Sequence, residues 1–489
     1  MRRHFIAGRR RLLQSAGGVF AAAALRPEFG FEPAEAADVS DVMTTLSTFM
    51  AAAATRELPA PVVEKTKFMI LDTLAAMISG SELPPGKFAI QFARAYGGNP
   101  VCTVAASNVR VGPIEAALAN GLLAHSDETD DTHPPSQSHP GCAAIPAALA
   151  AGEKFGISGT QFLRSVALGY DVGTRVTATL GKLQYMFETH HSTHGIAGNF
   201  VAAAAAGCAA GLNVQQMRWL LSYAAQQASG LASWQRDVDH IEKAFDFGGM
   251  AARNGVTAAL LVQAGGTGVD DILSGTDSFF QAFVPKNNPR MVVEELGTRF
   301  EVMRTDIKKW TVGAPIQAPL DALDTLLKRE QFAAAQVKQV VVRVATDEAA
   351  IVNNREISDI NLQHLMAVML LDKTVTFKAA HDAPRMKDPA VLRERAKVQL
   401  VPDAELEKLM PQRTAVVEVT LTDGRTLRER VGTVRGTAAN PMTRDEVIAK
   451  ARDLVAPTLG AATFQKLSDT VFAIENVKNV TEFRPLISR

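Results

Sequence analysis

From Val39 to about Gly297 the chain repeats apolar residues at a helical period, with no alternation of strand and helix signals. That pattern limits the fold more than any single motif does. Residues 61–79 place Val62, Val63, Phe68, Ile70, Leu71, Leu74 and Met77 on one broad stripe. Segments 113–125, 142–155, 160–175, 195–211, 214–229 and 247–264 continue the period, with Gly or Pro punctuation between them. The run AAAAAGCAAG at 202–211 carries no large side chain, so neighbouring helices can approach it closely, as in a compact interior.

The signal changes after about Trp310. Residues 337–344 (VKQVVVRV) and 415–421 (AVVEVTL) are β-branched and partly alternating, and Asp423-Gly424 marks a tight hairpin into residues 425–431. Helical stretches at 316–327, 361–373 and 389–394 lie among these strands. After Asn440-Pro441, Thr443 can cap a helix opening with Asp445-Glu446, and the tail reads helical again. A chain of 489 residues exceeds one ordinary core. The sequence therefore predicts a mostly α protein. A helical domain spans 37–309, a smaller α+β domain 310–440, and C-terminal helices at 441–489 return to the helical domain.

The first 36 residues read as a targeting segment. Arg9-Arg10-Arg11-Leu12-Leu13 resembles a twin-arginine motif, residues 12–25 are weakly apolar and too short for a stable membrane anchor, and Ala34-Glu35-Ala36 supplies a small-x-small cleavage pattern. Removing residues 1–36 takes away six Arg and three Glu, leaving 45 basic against 48 acidic residues, so the mature chain is near neutral. We expect a periplasmic protein exported in folded form. With no Lys/Arg tract beyond that segment and only 6% aromatics, a nucleic-acid surface is not expected. Cys102, Cys142 and Cys208 are far apart and show no CxxC spacing. They suggest buried thiols, and argue against a disulfide framework or a cysteine-ligated metal or iron–sulfur centre.

Six of the ten histidines fall in two windows, HSDETDDTHPPSQSHPG (125–141) and ETHHSTH (188–194). Pro134, Pro135 and Pro140 force an ordered irregular loop in the first, where four acidic residues can tune three imidazoles. A polar loop that merely caps helices needs one or two such residues, not seven. A metal site on Asp130, Asp131, His133 and His139, with His190 and His194 at i,i+4, is the rival reading. It lacks HExxH order and any known ligand spacing, so we expect neither metal nor cofactor.

The loop resembles the signature of the MmgE/PrpD family, which includes 2-methylcitrate dehydratase and cis-aconitate decarboxylase. The resemblance continues in order through ILDTLAAMISG (70–80), HHSTHGIAGNFVAAAAAG (190–207), EKAFDFGGMAARNG (242–255), IKKW (307–310), NLQHLMAVMLLD (361–372) and RGTAANPMT (435–443). It implies a helical domain with a smaller α+β domain, usually in a homodimer. It also implies a cofactor-independent lyase that removes a proton beside a carboxylate of a small polycarboxylic acid, with a hydro-lyase favoured over a decarboxylase or an epimerase. A carboxylate-binding protein without turnover is the reading from another class.

Carried over by position, the resemblance assigns catalysis to His139, His191, Thr132, Asp131 and His364, and substrate binding to Lys243, Lys308 and Glu128. Glu128 stands where the family often has Asp, and His364 where the decarboxylase has Tyr. His190 and His194 stay open beside His191, as does Lys309 beside Lys308. Lysines would hold substrate carboxylates and take up developing charge, while imidazoles move protons. The helix start after Pro140-Gly141 offers its N–H groups to a substrate carboxylate held near His139.

Replacing Arg9 and Arg10 together by Lys should leave uncleaved protein in the cytoplasm of the expressing cell. Fractionation with immunoblotting reads this, and unchanged periplasmic delivery would refute the export assignment.

Overall fold

The computed structural model describes residues 39–284 and 288–489, and the export segment expected at 1–36 lies outside them. Eleven helices build the first part: α1 (Asp41–Ala52), α2 (Ala60–Gly80), α3 (Pro84–Tyr96), α4 (Pro113–Ala124), α5 (Gly141–Phe155), α6 (Gly159–Ala178), α7 (Lys182–Thr189), α8 (Thr193–Ala209), α9 (Val214–Gln226), α10 (Ile241–Ala244) and α11 (Met250–Gln263). Their starts follow local chemistry. Ser40, Ser158, Ser192 and Asn213 each accept the backbone N–H three residues on, satisfying a donor that the helix itself cannot. A two-stranded ribbon, β1 (Cys102–Thr103) with β2 (Arg110–Val111), lies between α3 and α4.

Helix α2 departs from the one-sided stripe that its sequence suggests. From Met69 to Gly80 every residue is buried, including Asp72 and Thr73. The cause is a second partner, the helix Arg444–Leu459, which covers the face the stripe leaves polar. Lys450 on that helix sits 2.6 Å from Asp72, and both side chains are at most 3% exposed. Burying either charge alone would cost several kcal/mol, so the pair fixes the C-terminal helices on the first core. Val447, Leu454, Phe464 and Phe483 join that core directly.

Small residues set the spacing of the helices. A methyl group added at Gly255 on α11 would stand 2.4 Å from Ala202 Cβ on α8, so these helices touch almost backbone to backbone. A π-helical turn, Phe245–Gly249, joins α10 to α11 and crosses α4 in the same way. A Cβ at Gly248 would lie 2.2 Å from the Gly121 carbonyl oxygen. A π-turn inserts one extra residue per turn and so re-aims the side chains around it.

A second core is organised around a four-stranded sheet ordered β4-β3-β5-β6, with β3 (Val337–Ala345), β4 (Val398–Asp403), β5 (Ala415–Leu421) and β6 (Thr426–Val431). β3 runs parallel to β4 and antiparallel to β5, and β5–β6 is the Asp423-Gly424 hairpin, with Gly424 at φ +93°. Sequence periodicity misses β4. It is an edge strand carrying Pro402, which only an unpaired side tolerates. Helices Ala314–Glu330 and Leu362–Asp372 contribute Ile316, Leu320, Leu323, Leu365 and Met369 to this core. No described helix is long and apolar enough to cross a membrane.

Gly248→Ala should destabilise the protein by about 1–3 kcal/mol, because the added methyl meets rigid backbone rather than a movable side chain. Gly432→Ala, where nothing lies within 4 Å, is the control. Equal denaturation midpoints for the two variants would show that the helix crossing tolerates a side chain.

Candidate active site

The loop between α4 and α5 lies where the two cores meet, and it is held from both sides. The first core contributes Lys450, whose Nζ donates to the Thr129 carbonyl oxygen at 3.0 Å. From the segment joining the cores, Lys308 Nζ donates to the Glu128 carbonyl oxygen at 2.7 Å. From the second core, His381 Nε2 lies 2.9 Å from Asp127 Oδ2.

Asp130 is the centre. Its side chain is fully buried, with Oδ2 2.9 Å from His125 Nδ1, Oδ1 3.1 Å from His139 Nδ1, and Lys308 Nζ 3.8 Å from Oδ1. Burial alone would raise its pKa, but the two imidazoles outweigh it and hold the carboxyl well below its usual range. One carboxylate thus orients two histidines through the same ring nitrogen. His139 is lowered to about 4, by burial first and by Lys308 and His125 against the pull of Asp130. Its imidazole is neutral at physiological pH, its Nδ1 is held by Asp130, and its Nε2 has no hydrogen-bond partner among the described residues.

Lys243, on α10 just before the π-turn, pairs with Glu128 Oε1, and Lys308 lies 3.8 Å from Glu128 Oε2. Burial is outweighed by Lys243 and Lys308, which hold the Glu128 carboxyl well below its usual range. Lys243 Nζ also stands 5.4 Å from the Trp234 ring and 5.2 Å from the Phe247 ring, with the π-faces adding to its hold. Phe247, inside the π-turn, is the floor. His194 stacks on it at 3.9 Å and His125 at 4.4 Å.

Not every residue singled out by the sequence comes here. His191 does not. Its Nδ1 lies 3.0 Å from the Tyr185 hydroxyl, its ring 5.8 Å from Phe283, and its backbone bridges Leu231. The reason is local: Ser192 caps α8, so residue 191 is still extended. His194, in the first helical turn, brings its ring to 5.2 Å from His139 instead. His190 is exposed at the left-handed end of α7. His364 is buried on the helix Leu362–Asp372, and the charges acting on it are Arg395, Arg385 and Asp382 of the second core. Neither of its ring nitrogens has a hydrogen-bond partner among the described residues. Lys309 turns to Asp321 and Asp324, leaving Lys308 as the lysine of the site.

Asp131 faces the opposite way from Asp130, accepting from Gly141 N at 3.0 Å and from the Tyr170 hydroxyl. It therefore occupies the α5 N-terminus that the sequence offers to a substrate carboxylate. Burial and the neighbouring Asp130 raise it to about 7. Thr132 exchanges two backbone hydrogen bonds with Asp306 (3.0 and 2.8 Å), and its hydroxyl has no partner. His133 is tied to Ser136 at 2.7 Å and Glu301 at 3.1 Å, so the suggested ligand set of Asp130, Asp131, His133 and His139 does not converge. His125, Asp130 and Cys142 do bring ligand atoms within 4.8 Å of one another. The Cys142 thiol, however, donates to the His139 carbonyl oxygen at 3.1 Å, and burial with Asp130 and Asp131 pushes its pKa well up.

Two family models cover almost all of the described chain: the MmgE/PrpD N-terminal domain at residues 44–292 and the MmgE/PrpD C-terminal domain at 310–474. The chain belongs to the MmgE/PrpD family. Curated relatives include a cis-aconitate decarboxylase-like protein of Aspergillus oryzae, 26% identical over 461 residues, covering 88% of this chain and 94% of the relative. The cis-aconitate decarboxylase of Aspergillus terreus is 24% identical over 472 residues (89% and 93%), and that of Homo sapiens 26% over 451 residues (87% and 90%).

Within this MmgE/PrpD chain, sequence reading gave no role to His125, His240, Asp127 or His381, and weighed Asp130 only as a metal ligand. His125 and Asp130 were legible as members of the histidine-rich loop. His381 had no signal beyond being a histidine. Its Nδ1 donates to the Phe377 carbonyl oxygen at 2.8 Å, and Asp127 and Asp359 lie on its other side at 2.9 and 3.7 Å. Burial would lower it, but Asp127 and Asp359 prevail and raise it to about 9, while Asp127 is lowered.

This pair predicts a pH signature. The raised His381 contributes stability that is full below its unfolded value near 6.5 and lost as pH climbs through about 9. The lowered Asp127 contributes above its unfolded value near 3.8 and is lost as pH falls below it. Comparing urea unfolding of wild type and His381→Gln should give the widest gap between about pH 5 and 6.5, of order 2–3 kcal/mol, narrowing towards pH 9. A gap that is flat with pH would show that the pair is not ionic.

Proposed function

We propose that the protein is a lyase on a small carboxylic acid. In this reading it removes the hydrogen beside a carboxylate and then expels a neighbouring hydroxyl as water, without a bound cofactor. The observation that carries it is the neutral His139, its Nδ1 held by an ionised Asp130 and its Nε2 unpartnered, beside two lysines in a buried site. Removing a proton from carbon next to a carboxylate builds a second negative charge on that carboxylate. Lys243 and Lys308 are the cations placed to take it up, and burial makes their field count for more than it would in water. A substrate carboxylate reaches Lys243 by competing with Glu128, which pairs with that ammonium.

Family membership and the names of the relatives support the lyase class. Dehydration is our preference within it. Decarboxylation is the second reading, favoured by the relatives' names. The homodimer and the twin-arginine route are part of the same proposal, carried by the resemblance and by the Arg9-Arg10 motif.

Incubation of the purified mature chain in D2O with citrate, 2-methylcitrate, malate and cis-aconitate, followed by proton and carbon NMR, separates the outcomes. Dehydration gives an alkene and deuterium in recovered substrate, decarboxylation gives CO2, and epimerisation gives exchange with inversion. Binding without any of these would leave a carboxylate-binding protein. His139→Ala should lower kcat by about 10² to 10⁴ with an unchanged melting temperature. Lys243→Ala should raise KM as well, since its charge acts on both ground and transition states. A near-normal kcat in His139→Ala would overturn its role as the base.

A further inference from the structure

Dehydration needs an acid as well as a base, and the structure holds a second imidazole that the reaction as described leaves unused. His125 is fully buried, with no exposed surface, and its Nδ1 is bound to Asp130. Its Nε2 is buried without a hydrogen-bond partner. A buried imidazole nitrogen left unpaired costs about 1–3 kcal/mol, which a structural histidine would avoid. Around His125, Phe247 stacks at 4.4 Å, the His139 ring lies at 5.0 Å and the His240 ring at 5.3 Å. His240 itself is held in a left-handed conformation at the start of α10, and its Nε2 is likewise buried and unpaired.

We propose that His125 is the general acid of the elimination, giving its Nε2 proton to the departing hydroxyl after His139 has taken the proton from carbon, with His240 at the edge of the same hydroxyl subsite. This rests on the lyase reading above and deepens it. The balance closes. The C–H bond breaks and its proton goes to His139 Nε2. The electron pair forms the C=C bond as the C–O bond breaks. The proton from His125 Nε2 leaves with the oxygen as water. To act as acid and base, His125 must start protonated on both ring nitrogens and His139 on Nδ1 alone, and the two exchange roles. Asp130 stays ionised throughout and compensates whichever ring carries the charge. Two imidazoles with ring centres 5.0 Å apart, hung by Nδ1 on one carboxylate, match groups on adjacent carbons of one substrate. The predicted ligand of this subsite is therefore a neutral hydroxyl on the carbon next to the one that loses its proton. A carboxylate held between the lysines would be a different subsite.

His125→Asn keeps an amide N–H where Nδ1 donates to Asp130 but removes the acid. With 2-methylcitrate, citrate and malate in D2O, the variant should exchange the carbon-bound hydrogen within about threefold of wild type, while alkene formation falls by about 10² to 10⁴. Loss of exchange together with elimination, or loss of neither, would overturn the assignment. If wild type neither exchanges nor eliminates with any probe, the lyase reading fails. Nitrogen-15 NMR of histidine-labelled wild type then decides the acid separately, and it also does so if the variant does not fold. The expected spectrum at pH 7 shows His125 protonated on both nitrogens and His139 on one. A singly protonated His125 would rule it out as the acid.

Discussion

Everything at the site depends on Asp130 remaining charged inside the protein. An isolated buried carboxylate is costly enough that it would take up a proton. Here two imidazole Nδ1 atoms at 2.9 and 3.1 Å and the Lys308 ammonium at 3.8 Å make ionisation the cheaper state. The consequence runs outward. Because Asp130 is an acceptor only, both histidines must present Nδ1–H to it, so both are left with Nε2 for chemistry. The loop that carries Asp130 is irregular and proline-bounded, and the second core fixes it through His381 and Asp127. Neither core can form the site alone.

Adjacent residues in that loop have opposite fates. Asp130 is stripped of its proton by histidines, whereas Asp131, next to it, is raised to about 7 and serves as the cap of α5. Repulsion between the two contributes to the difference. Two neighbouring buried carboxyls cannot both ionise cheaply, and the one facing imidazoles keeps the charge. The same division separates the histidines: burial keeps His139 neutral, while His381, facing Asp127 and Asp359, is a cation. Sequence shows four acids and three histidines in one loop. It does not show which acid faces which base, because a turn of the backbone between Asp130 and Asp131 decides that.

The same limit explains what was legible. Helical period located α2, α4, α5, α6, α8, α9 and α11 of the first core, and the Asp423-Gly424 signal located the β5–β6 hairpin, because both follow from local spacing. Strand β4 was not legible: its pairing with β3 is long-range and it carries a proline. At the site, the loop stood out by composition, and the two lysine segments by the family resemblance alone. The placement of His194 rather than His191 turned on where Ser192 caps α8, a boundary that periodicity fixes only to within a few residues. His364 was legible only through the match of its helix, and it is buried on that helix with both ring nitrogens unpartnered among the described residues. His381 was invisible, since its partner Asp127 lies 254 residues earlier in the chain.

Glu128 shows how two close, buried lysines are kept stable. Lys243 and Lys308 are 16% and 4% exposed, and two ammonium groups that close together and that dry would repel each other and lose most of their hydration. A resident carboxylate between them removes both costs. Its longer arm, where the family often has Asp, lets it reach Lys243 on α10 while its backbone carbonyl holds Lys308. In the proposed reaction, substrate binding exchanges one carboxylate for another and does not add charge to a bare cationic pocket. Such an exchange costs little in electrostatic free energy in the ground state. It leaves the lysines to act mainly on the extra charge that appears when carbon loses its proton, and only interactions strengthened at that moment accelerate the reaction.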